Sequence, residues 1–130
     1  MILLDTNVLI DLHLLDLPDD EPMAASILSR AELEFGICSA PAVELAAGRT
    51  QRLNDLDEIF AWMAFDLDCT RSYGFIAARA RATGAKVRSK DALIAAQAHR
   101  HGAAVMTANL DDFAPFAHLV QVVPPPGRAS

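Results

Sequence analysis

The 130-residue sequence is poor in the residues that usually announce a binding chemistry. Its two cysteines, Cys38 and Cys69, are either a pair or two buried thiols, and their spacing resembles neither CxxC nor a metal knuckle. As isolated residues they are expected to be small hydrophobes of the core. The four histidines have no zinc-ligand spacing: His99 and His101 stand two apart and cannot face one point on a helix, and His13 and His118 are isolated. No apolar run approaches the roughly 20 residues that cross a bilayer, and Asp5 interrupts the N-terminus too early for a secretory signal. A soluble, cytoplasmic protein without membrane contacts is expected. Positive charge is also scarce, with a formal net charge of −6, which argues against gripping nucleic acid by bulk electrostatics. There is no internal repeat and no sign of a second domain.

Apolar residues, by contrast, are plentiful. At 52% hydrophobic, a chain of this length can bury about two-thirds of its unfolded surface as one core. The stretch Met1–Asp11, MILLDTNVLID, sets four apolar residues before Asp5 and continues with Val8, Leu9, Ile10 and Leu12 in helical rhythm. An apolar run without alternation suits a strand covered on both faces, and Thr6 or Asn7 can cap the helix that follows, which ends near residues 15–17. A second strand is expected over Ala24–Leu28, with Ile27 and Leu28 carrying its β preference and Ser29 capping the next helix. A further helix begins after Pro41 and runs towards Met63, with Leu53, Leu56, Phe60 and Met63 as its apolar stripe and Gly48 as a possible break. Ala64–Leu67 is a short strand or an extended link. Helices over Thr70–Thr83, closed by Gly84, and over Lys90–His101, capped by Ser89 and closed by Gly102, follow. Ala103–Thr107 reads as a buried strand, Asn109–Asp112 as a loop and Leu119–Val123 as an edge strand. The resulting fold class is α/β, a three-layer sandwich with a mainly parallel central sheet of four to five strands flanked by helices. The domain spans 1–123; the Pro-rich residues 124–130 have no packing pattern and are expected to form a flexible tail.

In such sheets ligands collect at the carboxyl ends of the strands. The strand–helix order brings carboxylates to that rim from four places: Asp5 after the first strand, Glu32 about a turn beyond the second, Asp91 at the start of a helix, and Asp111 and Asp112 after the third clear strand. Each alone has a bland explanation as a cap, a turn residue or a complement to a helix dipole. Together they are costly unless protons or a cation offset them. Oxygen-only ligands suit magnesium or manganese. Between Cys69 and Lys90 there is no acidic residue, while Arg71, Arg79, Arg81, Lys86, Arg88 and Lys90 all lie there. That stretch is either a solvated basic face or an edge that guides a polyanion past Asp91; Arg79, Arg81, Lys86 and Arg88 are its candidate polyanion contacts.

Four blocks, DTNVLID at Asp5–Asp11, AELEFG at Ala31–Gly36, KDALIAAQA at Lys90–Ala98 and MTANLDDF at Met106–Phe113, resemble the signature blocks of PIN-domain ribonucleases, in particular the VapC toxins of bacterial toxin–antitoxin pairs. The resemblance covers nearly the whole chain in order and spacing, and makes the expected fold PIN-like. It implies catalytic, metal-site acids at Asp5, Glu32, Asp91 and Asp112, with Thr6, Thr107 and Asn109 as polar neighbours. Glu34, two places beyond Glu32, points elsewhere. Doubling of Asp111 and Asp112 leaves the register open by one residue, with Phe113 favouring Asp112; Ala108 stands where many relatives carry a basic residue. What the resemblance implies is a toxin of a type II toxin–antitoxin system, a hydrolase that cuts RNA phosphodiesters with Mg2+ or Mn2+ and thereby inhibits translation or growth. It further implies a cognate VapB-type antitoxin and a homodimer, for which Trp62, Met63, Phe113 and Phe116 are either interface or, more in keeping with their type, core. Two other readings share the composition: a catalytically silent PIN-like domain that only binds a partner, and a receiver-like phosphoacceptor switch. The switch wants a lysine near the end of the last strand, whereas the only lysines are Lys86 and Lys90.

Overall fold

Leu3 and Leu4 have no solvent exposure, and the strand they belong to, β1 (Ile2–Leu4), lies inside the sheet. A computed structural model describes residues 1–127. In it β1 is flanked by β2 (Met23–Ala25) and β3 (Ala104–Met106), with β4 (Val122–Val123) outside β3, giving the order β2-β1-β3-β4 with every pairing parallel. Leu3 aligns with Ala24 and Val105, and Leu4 with Ala25 and Met106. Successive strand residues point to opposite faces, so Leu3 and Val105 enter one core and Leu4 and Met106 the other.

The helices form the two outer layers: α1 (Thr6–Ile10), α2 (Ile27–Cys38), α3 (Val43–Ile59), α4 (Leu67–Ala82), α5 (Ser89–His101) and the single turn α6 (Leu110–Phe113). On the Leu3 face, Ile76 and Ala80 of α4 and Ala92, Ala95 and Ala98 of α5 meet Phe113 and Phe116. On the Leu4 face, Val8 and Leu9 of α1 and Leu56 of α3 close the core, with Leu33, Phe60 and Trp62 at its margin. The alanines of α5 explain its depth. Small side chains let the helix settle between the sheet and α4, and Ala92, Ala95, Ala96 and Ala98 are all fully buried. Gly102 ends α5 at φ +63°, and Gly84 turns the chain after α4 at φ +83°, the left-handed conformations that only glycine adopts cheaply.

The three-layer α/β architecture agrees with the expectation, and the sheet has four strands, all parallel. Several local expectations are corrected. The second strand is Met23–Ala25, while Ile27 and Leu28 open α2. Ser26, not Ser29, caps that helix, its hydroxyl accepting the Leu28 N–H at 3.0 Å. An N-cap hydroxyl two residues ahead of Leu28 outweighs the weak β preference of one Ile-Leu pair. Asp5, not Thr6 or Asn7, caps α1. The first helix is a short α turn followed by a 3₁₀ turn over Leu12–Leu14. Gly48 remains within α3, which stops at Ile59, so Phe60 and Met63 pack from the extended segment beyond it. That segment forms a single parallel bridge between Met63 and Ser26. Asp66 caps α4 three residues earlier than expected, its carboxylate accepting the Cys69 N–H at 3.0 Å. Ser89 is the first helical residue of α5 and not its cap. The expected loop at Asn109–Asp112 is mostly the turn of α6, and the last strand is reduced to Val122–Val123. Cys69 is buried as expected, whereas Cys38 is exposed.

Of the expected tail 124–130, residues 128–130 lie outside the described residues. Within the remainder, Gly127 accepts a hydrogen bond from the Asp16 N–H at 3.4 Å. Among the described residues no helix is long and apolar enough to cross a membrane.

Candidate metal centre

The chain leaves β1 towards β2 on one side and returns to β3 on the other. The crevice where strand order reverses therefore opens at the carboxyl ends of β1 and β3, the usual ligand position in an open parallel sheet. Asp5 is the residue immediately after β1 and Thr107 the one immediately after β3. The Asp5 N–H bonds to the Met106 carbonyl at 2.9 Å, so the ladder carries the carboxylate into the crevice on a fixed backbone.

The side chain is as constrained as the backbone. Asp5 Oδ1 accepts the Thr6 N–H at 2.9 Å. Asp5 Oδ2 accepts the Thr107 hydroxyl at 2.9 Å and the Asn7 amide at 3.2 Å. Because Thr107 donates its single proton to Asp5, its oxygen is left to accept the Asn109 N–H at 3.0 Å and the Asn7 amide at 3.3 Å. Asn7 Oδ1 in turn accepts the Ala108 N–H at 3.1 Å. Six hydrogen bonds thus tie the two strand ends together around one carboxylate. The cap expected as a bland alternative for Asp5 and the rim position expected for chemistry are the same arrangement, since Asp5 accepts the Thr6 N–H while lining the cleft.

The cleft encloses about 300 Å³ and is lined by Asp5, Thr6, Glu32, Asp91, Asn109 and Asp112, with Asn7, Ile10, Arg88 and Lys90 completing its wall. Glu32 reaches in from the second turn of α2, Asp91 from the first turn of α5 and Asp112 from α6. Asp111 is exposed and lies outside the lining, so the doubled aspartate presents Asp112 to the cleft. Glu34 faces away and pairs with Arg30, which also holds Asp57 through two bonds of 2.9 Å. Of the four basic residues expected to meet a polyanion, only Arg88 reaches the cleft, where it stands 3.8 Å from Asp112. Arg79 lies over the Phe75 ring at 4.0 Å, and Arg81 and Lys86 are exposed elsewhere. Phe113 and Phe116 are fully buried and Trp62 and Met63 half-buried, so the aromatic pair serves the core.

Electrostatics marks the cleft as short of positive charge. Burial, and then the nearby carboxylates of Asp112 and Asp5, push the Asp91 carboxyl up to about 6, against the opposing pull of Lys90 and Arg88. Glu32 Oε2 is 2.5 Å from the Lys90 ammonium, while Glu32 Oε1 is buried with no partner, as is Thr6 Oγ1. Buried polar atoms are normally satisfied. Orphaned oxygens beside three further carboxylates fit a hard cation or its bound waters. Among the described residues no three acidic, His or Cys side chains already converge on one point.

Two residues of the cleft were missed by reading the sequence for function. Asn7 was seen only as a possible cap, though it stands inside the DTN triplet; Lys90 was counted with the basic stretch, though it directly precedes Asp91. The single signal available for both was adjacency to an expected acid.

Comparison with known proteins gives the family. Residues 2–119 match the family model described as PIN domain. The chain is 35% identical over 130 residues to the VapC ribonuclease Y4jK of Sinorhizobium fredii, covering 87% of this chain and 90% of that protein. It is also 35% identical over 126 residues to the plasmid stability protein StbB of Pseudomonas syringae pv. tomato, covering 87% and 91%. Among solved structures, VapBC-5 from Mycobacterium tuberculosis, a member of the VapBC family of toxin–antitoxin systems, superposes with a TM-score of 0.79 at 29% identity, over 94% of each chain. A match that runs from β1 to beyond α6, and so includes every acid lining the cleft, shows that this chain belongs to the PIN-domain family.

Proposed function

We propose that this chain is the toxin of a type II toxin–antitoxin pair and acts as an endoribonuclease dependent on Mg2+ or Mn2+. The observation that carries the reading is the convergence of Asp5, Glu32, Asp91 and Asp112, from four separate elements, on one cleft in which Glu32 Oε1 and Thr6 Oγ1 are buried without partners. A PIN-family relative named as a VapC ribonuclease supports the chemistry. These four carboxylates would hold the ion, which when bound lowers the pKa of a coordinated water and offsets charge on the phosphate. Asp5 is pre-oriented by Thr107, Asn7 and the Thr6 N–H, so its position costs nothing further when substrate arrives. Asp91, its carboxyl raised to about 6 in the metal-free cleft, would give up that proton on binding the ion. Asn109 and Thr6 offer neutral donors to a non-bridging phosphate oxygen. Arg88 and Lys90 at the wall attract the backbone of a single strand.

The partner follows the same reasoning. The M. tuberculosis relative is a toxin–antitoxin structure, and this chain exposes Phe35, Val43 and Leu45 around the α2–α3 turn at 73%, 82% and 48%. Apolar side chains at that exposure suit a VapB-type antitoxin or a second protomer.

The test is cleavage of a single-stranded RNA by the purified chain. Cleavage that requires added Mg2+ or Mn2+, stops with chelator and is lost in Asp5→Asn is the expected result. Equal cleavage by Asp5→Asn, or cleavage indifferent to chelator, refutes the assignment. No cleavage by the antitoxin-free wild-type chain with Mg2+ or Mn2+ present leaves the silent partner-binding domain as the better description.

A further inference from the structure

Two cations already lean on the acids of the cleft. The Lys90 ammonium lies 2.5 Å from Glu32 Oε2, and Arg88 stands 3.8 Å from Asp112 on the other flank. The two differ in what they touch. Arg88 contacts an acid near the edge at long range, whereas Lys90 closes on Glu32, whose side chain is 23% exposed and whose second oxygen has no partner. Lys90 is itself 62% exposed on a four-carbon stem, so it is free to leave. It directly precedes Asp91 on the first turn of α5, where neighbouring residues point about 100° apart. The same turn therefore sends an acid to the floor of the cleft and an ammonium to its wall. Glu32, and at longer range Asp5 and Asp91, hold that ammonium charged.

We infer that Lys90 is a built-in counter-cation of the metal-free site: it occupies the Glu32 carboxylate until a divalent ion displaces it, and thereby sets the affinity of the cleft for that ion. The inference rests on the reading of the four acids as a metal site. Its physical content is competition. An ion that recruits Glu32 must break the Lys90 pair, and an exposed pair of this kind is weak enough to break without blocking binding. Once displaced from Glu32, the ammonium remains beside the cleft, where an RNA phosphate is its natural partner. Lys90 is a positioning residue in this scheme, acting on the metal through Glu32.

The experiment is calorimetric titration of the antitoxin-free chain with Mn2+ alone, comparing wild type, Lys90→Met, Arg71→Met and Asp5→Asn. Methionine keeps the unbranched stem and removes the charge. Arg71 is an exposed cation on α4 paired with Asp68, which also binds Arg100 near the far end of α5, so Arg71→Met makes the same charge change remote from the cleft. Lys90→Met is expected to bind Mn2+ about three- to tenfold more tightly than wild type, while Arg71→Met changes affinity less than about twofold. If Lys90→Met binds no more tightly than Arg71→Met, Lys90 is not a competitor and the inference is overturned while the metal site stands. If wild type gives no binding, or Asp5→Asn binds as wild type does, the metal reading itself is overturned, and the inference with it.

Discussion

Replacing Thr107 by valine tests whether Asp5 is held by the network seen here. Thr107 is fully buried, and valine matches its shape, so no cavity opens and the change is confined to one hydroxyl. That hydroxyl donates to Asp5 Oδ2 and accepts from the Asn109 N–H and the Asn7 amide. A hydrogen bond to a charged acceptor contributes about 1.5–3 kcal/mol, and a buried donor left without a partner costs about 1–3 kcal/mol. Asn7 keeps its bond to Asp5, and the Asn109 N–H is only part-buried, so the second cost is not paid in full. The expected loss of unfolding free energy is about 2–4 kcal/mol, which for a domain of this size lowers the melting temperature on the order of 10 °C. Thr107→Ser keeps all three bonds and sacrifices one buried methyl, an effect of about 1 kcal/mol. Urea unfolding followed by circular dichroism, with chelator present, measures both variants. Valine within about 0.5 kcal/mol of wild type, or serine as damaging as valine, would refute the network as the element fixing Asp5.

Asp91 gives a pH test. Its carboxyl is raised to about 6 in the folded chain against 3.8 for the ordinary group, so the folded state binds the proton more tightly than the unfolded one. Metal-free stability is therefore expected to rise as pH falls from 7 towards 4, by on the order of 1 kcal/mol after solvent screening, and Asp91→Asn should abolish the rise; a flat urea midpoint across that window contradicts it. Asp57 and Asp66, held below the usual carboxylate range by Arg30 and by the Cys69 N–H respectively, act in the opposite sense, but only below about pH 4, outside that window. Gln97 is fully buried and its amide donates to the Met63 and Ala64 carbonyls at 3.2 and 3.1 Å; Gln97→Leu should cost about 1–3 kcal/mol in the same unfolding assay, and a neutral result would mean those carbonyls find other donors. Gly102→Ala meets no atom within 4 Å of its new Cβ, so its cost is the left-handed backbone alone, about 1–2 kcal/mol; a loss well above that in thermal melting would mean a steric constraint at the turn.

What could be read from the residues beforehand divides along physical lines. The β1 strand, α5 with its Gly102 stop, and the rim positions of Asp5, Asp91 and Asp112 follow from uninterrupted apolar runs and from turn residues with one cheap conformation. The second strand was displaced because three residues, Met23–Ala25, carry little β preference of their own; pairing with β1 makes them a strand, and that pairing is tertiary. Capping was misplaced at Ser26 and Arg88 for a related reason, since each true cap lies one to three residues from a rival Ser and only the backbone geometry decides between them, as it does for Asp5 against Thr6 and Asn7. Asp5, Asp91 and Asp112 were legible because each sits at or beside an element boundary, and Glu32 because it lies about a turn beyond one. The Lys90–Glu32 pair was not, because it joins α5 to α2 across the cleft, 58 positions apart in the chain, and a charge on a helix reads first as solvated surface.

Diffraction from crystals of the chain soaked in Mn2+, with data collected above the manganese absorption edge, would place the ion directly. The expected result is an anomalous peak in the cleft within ligand distance of Asp5 and at least one of Glu32, Asp91 and Asp112, absent from Asp5→Asn crystals. A chain that cleaves RNA with manganese but shows its only anomalous peak away from these carboxylates would contradict the assignment of this cleft as the metal centre.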